Sequence, residues 1–252
     1  MIKTFYVKST RFIRHCLRST GALALLERHA DIRALLYIRS LMSIYDPVDM
    51  AALDLPWWVF AATERTGQFL AERKAVAFEY GAGASTMWLA RRCHEVHSVE
   101  HDALFFSTIK PLLTTYRNVR LHLCEPRHAR PGAEIVAPSH RRGLESLDFA
   151  DYVQSISKPK MKFDLIVIDG RARSSCLITA LDYLKPQGLI LFDNSNRIEY
   201  RYTLDAVCQT NRQIRRIRIR GLAPALPYPS ETTLLCRDLL PDYSFALCVS
   251  IV

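Results

Sequence analysis

A chain of 252 residues, 49% hydrophobic and 23% charged, is long enough to bury a core without disulfides and too balanced in composition for disorder. Its net charge of +9 comes from 34 basic residues spread along the length, which reads as a solvated surface rather than a nucleic-acid footprint and raises only modestly the expectation of an anionic partner. No segment approaches the roughly 18 apolar residues of a membrane span, "TGALALLE" is too short for a secretory signal, and seven scattered cysteines without a CxxC pair fit neither a disulfide framework nor a structural zinc site, so the expected setting is a reducing cytoplasm.

Residues 1–50 read as helical, with Lys3, Lys8, Arg11, Arg14, Arg18, Arg28, Arg33 and Arg39 interleaved with Phe5, Phe12, Ile13, Leu17, Leu25 and Leu36. Two readings stay open. One is an amphipathic helical extension or lid, residues 1–55, packed on the main domain; the other is a basic helix making peripheral contact with an anionic membrane surface. "YDPVDMAALDLPWW" reads as a turn-rich linker, and "PWWVFAATERTGQFLAER" as a helix with Pro56 at its start, opening a main domain over 56–252.

Short apolar runs then follow at 75–80, 96–100, 119–124, 164–169 and 189–193, with helical candidates at 85–93, 103–116, 144–157 and 173–185 between them. Such alternation predicts an α/β fold, a doubly wound Rossmann-like and mostly parallel sheet. "QIRRIRIRG" and "ETTLLCRD" are separated by too little chain for a helical crossover and are expected to pair antiparallel at one edge, for a seven-stranded sheet. Arg216, Arg218 and Arg220 on the first of them read as charge guarding an exposed edge rather than as phosphate contacts. The tail "YSFALCVSIV" alternates large and mostly small residues; exposed, it would be an interface, for instance in a homodimer.

The stretch "VAFEYGAGAST", Val76 to Thr86, runs a strand into a tight turn and a helix at the edge of the sheet where open α/β folds bind ligands. Gly81 and Gly83 can adopt backbone angles denied to other residues and leave room for a ligand, and Ser85 or Thr86 can cap the helix. A dinucleotide loop needs GxGxxG, and Thr86 stands where the third glycine belongs, so a nicotinamide dehydrogenase is a poor match. Glu79, just ahead of the glycines, suits a ligand carrying an ammonium and a sulfonium, and Glu100, at the end of "VHSVE", suits the two hydroxyls of a ribose.

On these residues the chain resembles the class I S-adenosylmethionine-dependent methyltransferases. "FEYGAGAST" is similar to their glycine-rich first motif, "VHSVEHD" to their acidic second strand, "FDLIVIDGRAR" to their fourth-strand motif and "YLKPQGLILFDNS" to the turn leading into their fifth strand. Within them it is similar to a bacterial subgroup of undefined substrate that pairs "E-Y-G-S-G-N-S-T" with "D-G-R-A-R", "D-N-S" and a late "G-L-A-P…E-T-T" segment. Ala82, Ala84 and Gln187 are departures from the usual residues. The resemblance implies that Glu79, Gly81 and Gly83 hold the methionine end of the cofactor, Glu100 the ribose, and His101 or Asp102 the adenine. It places Asp169 beside the transferring methyl group.

The implied activity is transfer of a methyl group from S-adenosyl-L-methionine to a small-molecule or saccharide-like hydroxyl. The chain has no Asp/Asn-Pro-Pro-aromatic segment and no Pro-Cys dipeptide, which disfavours methylation of nucleic-acid bases. Asp169 and Asp193 are the expected catalytic carboxylates. With Asn194 they are also similar to the magnesium ligands of the catechol-type O-methyltransferases, although Arg171 and Arg173 follow where those enzymes carry a lysine base. In the alternative, Asp193 and Asn194 cap the next helix. Arg171 and Arg173, with Asn194, are expected to recognise a carboxylate or phosphate on the acceptor. Trp57 and Trp58 read as core or as cover for the cofactor. The competing reading for the whole chain is a non-catalytic module of the same fold, associating with membrane or protein through its basic N-terminal helices.

Overall fold

The structure, a computed structural model, describes residues 2–71, 73–130, 132 and 134–237; the alternating tail at 243–252 lies outside the described residues. Seven strands form one sheet: β1 (Val76–Tyr80), β2 (Glu95–Glu100), β3 (Val119–Leu123), β4 (Phe163–Ile168), β5 (Leu184–Asp193), β6 (Ile214–Leu222) and β7 (Pro229–Arg237). Their order is β3-β2-β1-β4-β5-β7-β6, with every pairing among the first five parallel. β7 runs antiparallel to both β5 and β6, so the two late segments do pair antiparallel and β6 is the outermost strand. Two of its arginines are paired there: Arg218 with Glu231 and Arg216 with Asp205.

The apolar runs lack a polar face because the sheet is covered on both sides. Phe78, Tyr80, Ile166, Ile168, Ile190 and Phe192 pack into one cluster with Tyr152 and Leu177, while Ala77, Val96, Leu165, Val167 and Leu191 pack into the other with Trp58, Phe69 and Trp88. Register then sets the function-bearing edge. Tyr80 lies opposite both Val99 and Ile168, and Ile168 opposite Phe192, so the next residues along, Gly81, Glu100, Asp169 and Asp193, stand level at the carboxyl ends of adjacent strands.

Ahead of the sheet come helices α1 (Ile2–Ser19), α2 (Ala22–Arg28), α3 (Arg33–Ser40), α4 (Pro47–Ala52) and α5 (Phe60–Leu70). α4 falls inside the stretch read as a linker: the Asp46 carboxylate accepts the N–H of Asp49, and Pro47 occupies the first turn, where its missing N–H costs nothing. α5 begins at Phe60, four residues after Pro56. Arg39 is 1% exposed and forks onto both oxygens of Asp49 at 2.9 and 2.8 Å, with its Nε donating to Glu27 at 2.8 Å. Arg14 joins Asp49 and Asp46 at 2.8 Å each, so α1 to α4 are tied by charge and not only by apolar contact. The group packs on the sheet domain through Ile44, Met50, Leu55 and Phe60, and through the Tyr37 hydroxyl, which donates to the Leu226 carbonyl. Among the described residues no helix is long and apolar enough to cross a membrane.

The remaining helices are α6 (Ala84–Ala90), α7 (Ala103–Leu113), α8 (Ala150–Gln154), α9 (Arg173–Tyr183) and α10 (Ile198–Thr210). The helix expected over 144–157 starts only at Ala150, because Leu147–Asp148 pairs antiparallel with Arg127–His128 and Asp148 accepts the N–H groups of Val136, Ala137 and Ala150. α10 was not among the expected helices, since only Tyr200, Leu204 and Val207 along it are buried. β5 begins five residues before the expected run, at Leu184 rather than Leu189. Within it Gln187 takes a left-handed φ of 59°, where the related motif carries glycine.

Candidate active site

A cavity of about 820 Å³ opens over the level strand ends, within the range of small-molecule sites. Its floor is the β1–α6 turn. Gly81 has φ 95°, and a Cβ there would lie 2.7 Å from the Cα of Gly170, so the turns after β1 and β4 meet backbone to backbone. Gly83 differs from the expectation of a special backbone angle: its φ of 174° is extended backbone that any residue adopts, and an added Cβ would meet only Ser85 Oγ at 3.8 Å. Its bareness faces the cavity rather than the protein.

Glu79, expected at the ligand, is fully buried beneath the turn. Its carboxylate accepts the hydroxyls of Ser85 (2.5 Å), Thr86 (2.6 Å) and Ser98 (2.7 Å), and burial raises its pKa to about 7 against the opposing pull of those hydroxyls. It therefore shapes the turn from below and does not line the cavity. Gly83 is the N-cap of α6, and Thr86, three residues on, accepts the Gly83 N–H at 2.9 Å, which is the returning half of a capping box. Ser85 reaches the cavity wall; Thr86 is buried.

Glu100 lines the cavity, and its carboxylate accepts the N–H groups of Ala82 (3.1 Å), His101 (2.8 Å) and Asp102 (2.8 Å). A carboxylate has about four acceptor positions, so it retains capacity toward a ligand. The His101 ring sits between Phe149 and Tyr152 with Nδ1 2.7 Å from Glu100, and Asp102 caps α7 by accepting from Leu104 and Phe105 at 3.0 Å. Both line the cavity beside Glu100.

At the ends of β4 and β5 the structure brings Asp169, Asp193 and Arg173 together. Arg173 is 3% exposed; it donates to Asp169 Oδ1 at 2.8 Å, to the carbonyl of Gly170 at 3.1 Å, to the carbonyl of Asp169 at 2.8 Å and to the carbonyl of Asp193, with Asp193 Oδ2 at 3.9 Å. Asp169 also accepts from Trp58 Nε1 at 3.2 Å, and Asp193 from Thr232 Oγ1 at 2.7 Å. Burial raises the pKa of both carboxyl groups, and in each the Arg173 charge opposes the rise. Trp58 is buried edge-on against Trp88, so it is a core residue that also orients Asp169, while Trp57 lines the cavity.

This arrangement corrects two expectations. Arg173 does not grip an acceptor, because its donors are taken up by the chain. Magnesium does not fit Asp169, Asp193 and Asn194: a guanidinium already stands between the carboxylates, and a dication would leave it buried and unpaired. Among the described residues no group of three or more His, Cys, Asp or Glu side chains suits a metal. Asn194, at φ 54°, turns its amide toward Ser230 at 3.4 Å while lining the cavity, and neither it nor Asp193 caps α10, whose N-cap is Arg197.

Arg171 lines the cavity with its Nε buried and without a partner. Several lining residues escaped the sequence reading: Ile44 and Tyr45 from the N-terminal helical group, Arg141 from the loop before α8, Asn196 and Arg197 after β5, and Tyr228 and Ser230 before and in β7. For Asn196 and Arg197 a signal existed, since they follow a parallel strand just as Arg171 does; Ser230 lies at the start of β7 and the others come from connecting segments.

No family model matches the chain, and no curated protein matches it in sequence. Solved structures do. The chain is 16% identical to an O-methyltransferase from Bacillus cereus in complex with SAH, covering 85% of this chain and 97% of that one at a TM-score of 0.55. It is 15% identical to TomG of Streptomyces achromogenes, an O-methyltransferase involved in tomaymycin synthesis in complex with SAM, covering 79% and 90% at 0.55. At such identities the likeness speaks of the fold alone, which this chain shares with those two O-methyltransferases.

Proposed function

We propose that the protein is an S-adenosylmethionine-dependent methyltransferase acting at the oxygen of a small-molecule acceptor. The observation that carries this reading is the donor side of the cavity: the bare Gly81-Ala82-Gly83 turn with Glu100 level beside it at the end of the neighbouring strand. The open space over Gly83 and the remaining acceptor position of Glu100, on Oε2, fit a cofactor with a ribose.

The cofactor, when bound, supplies a methyl group already activated on a sulfonium. The chain's own part is alignment and proton handling. Gly83 leaves room along the turn, Glu100 accepts a hydroxyl proton in a hydrogen bond, and Ile44, Tyr45 and Trp57 contribute cavity wall from the N-terminal segments. Asp169 is the group we assign to the acceptor's proton. Burial keeps its pKa above the ordinary carboxylate value, which makes it a better base, and Trp58 and Arg173 fix its orientation. Asp193 balances the buried Arg173. No step runs through a metal.

Calorimetry with S-adenosylhomocysteine tests the reading: micromolar binding that weakens about tenfold or more in Glu100→Ala is expected, because a charge-assisted hydrogen bond to the ribose is lost. No binding at millimolar ligand would overturn it.

A further inference from the structure

Resting on that reading, we propose that the acceptor is an oxyanion-bearing small molecule, a carboxylate or phosphate ester, held by Arg171, Arg197 and Arg141 on the β4–β5 side of the cavity.

The argument is an imbalance of charge within one cavity. Each lining carboxylate is answered by the protein: Glu100 by three backbone N–H groups, Asp102 by the start of α7, Asp169 and Asp193 by Arg173. Of the four lining arginines, Arg173 alone enters an ion pair among the described residues. The guanidinium of Arg171 makes a single long contact, 3.4 Å to the Gly170 carbonyl, and its Nε is shut from water with nothing to donate to. The Arg171 guanidinium thus brings to the cavity a charge with no carboxylate partner among the described residues, one that an entering oxyanion would answer.

All three line the one cavity, and Tyr200 packs beside the segments that carry them. Its ring lies 6.1 Å from that of His140, the neighbour of Arg141; its N–H donates to the Arg197 carbonyl at 3.2 Å; and Arg173, two residues beyond Arg171, lies over its face at 5.9 Å. Arg197 and Asp169 line the same cavity, and the Arg197 charge opposes the burial that raises the Asp169 pKa. Planar, permanently charged forks suit carboxylate and phosphate equally, and the neutral donors Asn196, Tyr228 and Ser230 complete the lining.

The experiment saturates the protein with S-adenosylhomocysteine and titrates inorganic phosphate and, separately, benzoate at fixed ionic strength. Wild type is expected to bind at least one at millimolar concentration or below, the preferred anion identifying which oxyanion the acceptor carries. In Arg171→Gln with Arg197→Gln, affinity should fall about tenfold or more while S-adenosylhomocysteine affinity stays within about twofold. Arg220→Gln on the edge strand controls for net charge and should change neither. Absence of binding of both anions to wild type, or a loss below about twofold in the double variant, overturns the proposal. Failure of S-adenosylhomocysteine to bind would instead sink the methyltransferase reading, and the same titrations on cofactor-free protein still decide the arginine wall.

Discussion

On the β1–β2 side of the cavity the protein answers its own carboxylates, Glu79 with three hydroxyls and Glu100 with three N–H groups, whereas on the β4–β5 side the Arg171 guanidinium has no carboxylate partner among the described residues. The first is largely satisfied within the chain; the second offers unpaired positive charge to the cavity. A common donor can be met by a rigid, self-satisfied floor. An acceptor must be selected, and selection is sharper where the site holds groups that a wrong ligand leaves unpaired.

The largest effect should come from the seam between the two sides. Arg173→Met strands Asp169 and Asp193 without their cation, and about 3–5 kcal/mol of stability should be lost at pH 8 in denaturant titration. At pH 5 the loss shrinks, because the freed carboxyl groups take up protons. A cost under about 1 kcal/mol at pH 8 would show that the seam is not held by charge.

Next comes the contact of the two turns. In Gly170→Ala the new Cβ would fall 2.0 Å from the hydroxyl of Tyr152, which is buried and has no hydrogen-bond partner. A loss of about 3 kcal/mol is expected, recovered in part by adding Tyr152→Phe, which removes the clashing oxygen. No recovery in the double variant would place the strain elsewhere.

A third test concerns the donor floor alone. The folded-state pKa of Glu79 is raised from 4.5 to about 7, so the folded protein holds this proton where the unfolded chain has released it. Its contribution to stability therefore falls as pH rises from about 4.5 to about 7 and is level above, a change on the order of 3 kcal/mol. Glu79→Gln keeps an acceptor for the hydroxyls and should flatten that slope. An unchanged slope would remove Glu79 as its source.

The smallest effect on the fold separates the two glycines. Gly83→Ala should leave stability within about 0.5 kcal/mol, since its backbone is extended and its Cβ unobstructed, yet weaken S-adenosylhomocysteine binding about tenfold. Unchanged affinity would mean that the space over Gly83 is not used.

The same contrast explains what could be read from the chain. The donor floor is local: a strand, a turn and a helix N-terminus follow one another from Val76 to Ala90, so composition and spacing reveal them. The strand ends Asp169 and Asp193 were legible for the same reason. What those carboxylates touch was not, because Trp58 and Thr232 arrive from distant segments. Arg173 changed role once a partner on each side was visible, and Gly83 changed role once its φ was known. Arg141 sits in irregular chain, without a period to mark it.

The meeting of Gly81 with Gly170 reaches beyond this molecule. Two positions far apart in sequence touch through bare backbone, and a side chain at Gly81 would strike the Gly170 Cα. In sequences that keep this register, the two glycines should be retained or lost together. Such paired retention is a search criterion that neither motif provides alone.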